Sequence, residues 1–174
     1  MNVVQELAAR TLLVILAAAV VQDFMYMKIS NRLILMGILF SLAFGLTTGG
    51  PKQVIYVLAN LSFPVIVLYL LYLLGVLGAG DIKLFSIIGG FTNFRLLISC
   101  MFFSFVAAAA IAVCKMLYNR NFCGSLLLAG TYFRSLRQEG IVSYHKEWAE
   151  HRNLMHFSVA ILIGYIAAVA VQVL

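Results

Sequence analysis

Charge is scarce in this chain. Asp, Glu, Lys and Arg together make up 10% of its 174 residues, against 64% hydrophobic residues, and the mean hydropathy is +1.05. A soluble domain carries roughly 45–50% apolar residues, so a soluble globular fold is excluded and an integral membrane protein is indicated. Apolar–polar alternation is absent as well. The apolar runs are continuous, which argues against a transmembrane barrel and leaves helices as the spanning elements. The 3 cysteines, Cys100, Cys114 and Cys123, form no C-x-x-C pair. They support neither a zinc site nor a disulfide framework, and Cys100 and Cys114 read as small buried hydrophobes within an apolar run. The only prolines are Pro51, in a turn signal, and Pro64, a predicted kink. The net charge of +6 is a topology signal here and implies no nucleic-acid partner.

A helical span needs about 20 mostly apolar residues. The runs predict an all-α, polytopic protein with 6 transmembrane helices in one bundle, forming a single domain over residues 1–174. The first span covers about Val4 to Met25 and reads as a retained span, since no convincing cleavage site follows it. A polar break, Lys28-Ile29-Ser30-Asn31-Arg32, precedes the second, about Leu33 to Leu46, with Asn31 as the expected N-cap. Thr47-Thr48-Gly49-Gly50-Pro51 is a turn signal. The third span runs from about Val54 to Leu74. The fourth, Ile82 to Phe91, barely spans and is expected to be short or partly unwound. The fifth covers about Leu96 to Leu117 and the last about Leu154 to Leu174, separated by a polar loop, about 118–153. Within that loop, residues 125–137 read either as an amphipathic interfacial helix, with Arg134 and Arg137 toward headgroups, or as plain loop.

Charge placement orients this count. With the N-terminus outside, one side carries Lys28, Arg32, Lys83, Lys115, Arg120, Arg134, Arg137, Lys146 and Arg152, and the other only Arg10, Lys52 and Arg95. The Lys/Arg excess marks the cytoplasmic face. The prediction is therefore a multi-pass chain in contact with the lipid bilayer, with its N-terminus outside.

Acids are rarer still: Glu6, Asp23, Asp81, Glu139, Glu147 and Glu150. Asp23 lies near the end of the first span and Asp81 in Gly78-Ala79-Gly80-Asp81-Ile82-Lys83, between two apolar runs. In the topology above both fall on the cytoplasmic side. An ionised group near hydrocarbon loses hydration, so a carboxylate kept at that depth is a functional candidate. Gly78 and Gly80 would let another backbone approach closely or let the chain turn sharply. Two nearby carboxyls cannot both ionise easily, and one retains its proton. The ionised member can take a proton from water while the other donates to a peptide carbonyl, which is aspartic-protease chemistry. It needs no metal and no cofactor, and no His or Cys lies beside either acid. Lys83 could bias the pair toward ionisation or anchor in the headgroups. The plainer readings are an interfacial acid for Asp23 and a helix N-cap for Asp81.

Asp23-x4-Lys28-Ile29-Ser30-Asn31, Gly78-Ala79-Gly80-Asp81-Ile82-Lys83-Leu84 with Gly89-Gly90, and Phe157 to Gly164 near the end together resemble the type IV prepilin leader peptidases. The likeness is greatest to the short forms found with tight-adherence pili, and the layout is similar to archaeal preflagellin peptidases. This resemblance implies a prokaryotic six-span aspartic endopeptidase at the cytoplasmic membrane face. It would remove the short basic leader of a prepilin-like membrane protein substrate, with Asp23 and Asp81 catalytic and Gly78, Gly80 and Lys83 in their neighbourhood. Two positions depart from the family pattern, Ser30 and Val159, where proline is frequent. Nothing resembles the cysteine-rich insert of the long members, so no methyl transfer is expected. The rival readings are an ion-coupled small transporter and a non-catalytic pilus-assembly partner. Oligomeric state is not legible in the sequence.

Overall fold

The computed structural model describes residues 3–26, 28–74, 76–118 and 157–173. These form five helices: α1 (Val3–Tyr26), α2 (Asn31–Leu73), α3 (Ala79–Phe91), α4 (Phe94–Tyr118) and α5 (Phe157–Val173). Nearly all of the polar loop, including residues 125–137, lies outside the described residues. The chain divides into two compact units, Met1–Ala108 with His156–Leu174, and Ala109–Met155. The second contributes only the last turns of α4 to the described residues.

The helices begin and end for local reasons. The cap of α2 is Ser30, in extended conformation, whose side chain accepts from the Arg32 N–H at 3.3 Å. Asn31, the expected cap, is instead the first helical residue and leaves its amide for another partner. The Asn31–Leu73 helix is interrupted once, at Gly50, where φ is 65° and ψ is −155°. An L side chain is strained there, and Pro51 then restarts the helix with a preset φ and no N–H to satisfy. Thr47 and Thr48 donate back to the Phe44 carbonyl at 2.9 and 2.8 Å, closing acceptors at the end of the first arm. A Cβ built on Gly45 would lie 3.0 Å from Val57 Cγ2, so the arms 31–49 and 51–73 double back on each other. The turn predicted over residues 47–51 is this elbow. Pro64 is buried and keeps helical dihedral angles.

α3 is the centre of the unit. At 13 residues it is about 20 Å long, less than the roughly 30 Å hydrocarbon layer. Of the two expectations, short or partly unwound, the first holds: it is regular helix throughout. Ile82 and every residue from Leu84 to Gly90 are buried, the mark of a helix enclosed on all sides. Both arms of α2 enclose it. Its Ile87 packs on Gly37, its Gly90 meets Ser41 and Leu61, and its Gly89 lies against the Asn60 carbonyl. α1 packs on α2, α3 and α5, and α5 on α3 as well. Leu12, Leu16, Phe85, Ile87, Ile88, Leu97 and Ile161 fill the shared core.

Lipid tails are as apolar as leucine, so helices in a bilayer gain little from burying apolar side chains and are held by close packing. The glycines supply that closeness. Gly89 and Gly90 let α3 touch the backbone and side chains of α2, and Gly164 of α5 lies directly on the Ser104 backbone of α4. The outward surface is apolar: Leu35, Leu39, Ile66, Leu70, Phe102 and Ile166 are all exposed. α1, α2 and α4 are long and apolar enough to cross a membrane, while α5 is apolar and shorter.

Two glycine substitutions separate strain from packing. A Cβ on Gly50 meets nothing within 4 Å, so Gly50→Ala should lose about 1–2 kcal/mol through its dihedral angle alone. Gly89→Ala presses a methyl onto the fixed Asn60 carbonyl and should lose about 1–3 kcal/mol. Denaturation of the purified protein in detergent measures both. Wild-type stability in Gly89→Ala would contradict the close approach of α3 and α2.

Candidate active site

Asp23 sits in the last turn of α1 and is half-buried. Its Oδ2 accepts a hydrogen bond from the Ser158 hydroxyl at 2.6 Å, so the first turn of α5 reaches across to α1. One residue earlier, Gln22 Oε1 accepts from the Ser30 N–H at 3.0 Å. That contact folds the polar linker 28–30 back against the end of α1.

Asp81 lies in the first turn of α3. Gly78 is the N-cap, and Asp81, three residues on, turns back so that its Oδ2 accepts from the Gly78 N–H at 3.2 Å. Asp81 therefore does not occupy the cap position itself. It supplies the returning half of a capping box, favourable for an acid beside free N–H groups at a helix start. A Cβ on Gly78 would stand 3.0 Å from that carboxylate oxygen, so the missing side chain leaves room for the returning carboxylate.

The linker after α1 lies on this same turn. A Cβ on Gly80 would come within 3.2 Å of Ile29 Cδ1, and Lys83 Nζ donates to Asn31 Oδ1 at 2.9 Å. The space at Gly80, expected to admit another chain, is thus held by Ile29 from within the molecule. Lys83 spends a hydrogen on Asn31, which ties the two polar motifs of the sequence to each other.

A second route links the acids through α5. Phe157, next to Ser158, forms an aromatic trio with Phe85 and Phe105. The ring centroids are 6.3 Å apart for Phe85–Phe157, 5.9 Å for Phe105–Phe157 and 6.2 Å for Phe85–Phe105. Phe85 is one helical turn beyond Asp81. Both carboxylates, with Gly78, Gly80 and Lys83, therefore gather at one end of the unit, where α1 ends and α3 and α5 begin.

An open cleft of about 900 Å³ lies at the other end. Ser41, Asn60, Gly90, Thr92 and Tyr165 are among its lining residues, and neither acid is. Polar contacts mark the acid end.

Sequence reasoning gave no role to Ser158, Gln22 or Phe157. A signal for Gln22 was present, since an amide inside an otherwise apolar run is as conspicuous as the acid beside it. For Ser158 there was only its place in the Phe157–Gly164 motif. Its partner lies on the first helix, and no local pattern reports that contact.

A family profile described as the Type IV leader peptidase family matches residues 11–113. The match covers more than half of the chain, takes in most of α1, all of α2 and α3 and most of α4, and includes both acids and Lys83. Searches of curated proteins and of solved structures gave no match. The family fits an all-helical molecule with long apolar helices, and the chain is a membrane protein that belongs to the type IV leader peptidase family, a family of proteases.

Proposed function

We propose that this protein is a membrane-embedded aspartic endopeptidase that removes the short basic leader of a prepilin-like protein, with Asp23 and Asp81 as its catalytic pair and no accompanying methyl transfer. The observation that supports it best is the gathering of these two acids at one end of the unit by separate sets of contacts.

The chemistry follows from placing two carboxyls near each other at the edge of a bilayer. Like charge and lost hydration leave one proton on the pair. The ionised carboxylate takes a proton from water, and the hydroxide adds to the scissile carbonyl carbon. The protonated carboxyl donates to the carbonyl oxygen. Collapse of the tetrahedral intermediate breaks the C–N bond, with a proton passing to the leaving nitrogen. A helical peptide bond is shielded by its own backbone, so the substrate must present an extended segment just ahead of its apolar helix.

Topology follows from charge. Lys28, Arg32 and Lys83 stand at the acid end, and Arg10, Lys52 and Arg95 belong to the other. With the basic loop added, this favours acids on the cytoplasmic side of a cell (inner) membrane and the N-terminus outside. Counting the two arms of α2 separately gives six crossings. In that reading the short α3 crosses because protein, not lipid, surrounds it.

Incubation of the purified protein with a single-span substrate carrying a basic leader, a glycine and an apolar helix tests the reading. Leader release is expected, and Asp23→Asn and Asp81→Asn should each reduce it by about 10²–10⁴-fold. Undiminished cleavage in both variants would remove the dyad. Release of the leader with an added methyl donor, but no mass gain on the product, checks the absence of methyl transfer.

The Lys83–Asn31 bond joins the two motifs on a solvent-exposed surface. Lys83→Met and Asn31→Ala should each slow cleavage by no more than about 10-fold. The double variant should be no slower than the worse single one, since both remove the same bond. Multiplicative effects in that cycle would show that Lys83 acts elsewhere.

A further inference from the structure

We infer that Ser158 is a positioning residue for Asp23: its hydroxyl, delivered by the first turn of α5, holds the carboxylate in the orientation used for cleavage. This rests on the reading of Asp23 as catalytic and adds a residue outside the matched family region, which ends at residue 113.

Among the described residues, the hydroxyls mostly serve their own helices. Thr11, Ser41, Ser62, Ser86, Thr92 and Ser104 each donate to a carbonyl three or four residues earlier. That local bond is the default for Ser and Thr inside a helix. Ser158 differs. It is at the start of α5, and its hydrogen goes to Asp23 on another helix, at 2.6 Å. That is a close O–H···O contact between two helices. Ser158 is 1% exposed, so water does not compete for the bond.

The position of this hydroxyl is itself determined by packing. Phe157 is clasped by Phe85 and Phe105, and Gly164, two turns further on, lies against the Ser104 backbone. α5 therefore cannot rotate or slide without breaking tight contacts. Since Phe85 follows Asp81 by one turn of α3, the same clasp that aims Ser158 at Asp23 also references it to Asp81. A carboxylate on the last turn of a helix has freedom about its side-chain bonds, and this arrangement removes it. Catalysis by positioned groups is sensitive to displacements of about 1 Å.

The experiment uses the full chain in detergent, cleaving the single-span substrate described above, with kcat and KM measured separately for Ser158→Ala, Ser158→Thr and Ser158→Val. Ser158→Ala removes one oxygen and should lower kcat by about 10-fold or more while KM changes less than about twofold, the pattern for loss of an interaction with a charged group at the reacting centre. Ser158→Thr keeps the hydroxyl and should retain most of the activity, and Ser158→Val, equal in shape to threonine, should fall with alanine. If the larger side chains are not accommodated, Ser158→Ala decides alone. Wild-type kcat in Ser158→Ala, a change confined to KM, or equal impairment of well-folded threonine and valine variants overturns the inference. Asp23→Asn, assayed in parallel, separates the two levels. An inactive Asp23→Asn beside a fully active Ser158→Ala removes only the role of Ser158, whereas an active Asp23→Asn removes the proposed function beneath it.

Discussion

The enclosure of α3 is the constraint on which the rest of this structure depends. A 13-residue helix is too short to face lipid along its whole length, and its backbone ends would be left unsatisfied in hydrocarbon. α1, both arms of α2, and α5 surround it instead. That requirement explains the elbow at Gly50, which folds α2 back so that one helix supplies two walls. It also explains Gly89 and Gly90, which let those walls close. The carboxylate of Asp81 is then carried on the one helix that every neighbour touches.

The same enclosure places the second acid. α1 lies along α3, and its last turn comes to the level where α3 starts. The linker from α1 to α2 crosses that start, with Ile29 over Gly80 and Asn31 beside Lys83. From the other side, α5 begins beside the acids and joins α1 by a hydroxyl and α3 by a ring. Each acid is thus referenced to elements distant from it in sequence. Such redundancy is what the proposed catalytic pair requires, because two carboxyls share a proton only when they are held near each other.

The polar groups at this end are few and committed. Gly78 N–H serves Asp81, Ser158 serves Asp23, Gln22 serves Ser30 and Asn31 serves Lys83. Where burial keeps water away, as at Ser158, a polar side chain that lacks a partner is strongly unfavourable. The contrast with the far end is instructive. The cleft there is lined by hydroxyls and amides along with aromatic rings, yet it holds none of the residues singled out for chemistry.

Much of this was legible in the residues themselves, and the limits have a physical origin. Membrane character, helical class, the elbow and the two candidate acids all come from properties that are local along the chain: run length, Gly-Pro punctuation, and the rarity of charge beside apolar stretches. Three assignments needed the fold. Ser30 and not Asn31 caps α2, because Asn31 is drawn to Lys83. Gly80 accommodates Ile29. Ser158 turns toward Asp23 instead of toward its own helix. The underlying reason is that the apolar runs carry almost no periodic polarity, so they do not say which side faces protein and which faces lipid. Both surroundings are equally oily to a leucine or a phenylalanine. Only packing in three dimensions separates them, and with it the choice of which distant side chain meets each acid.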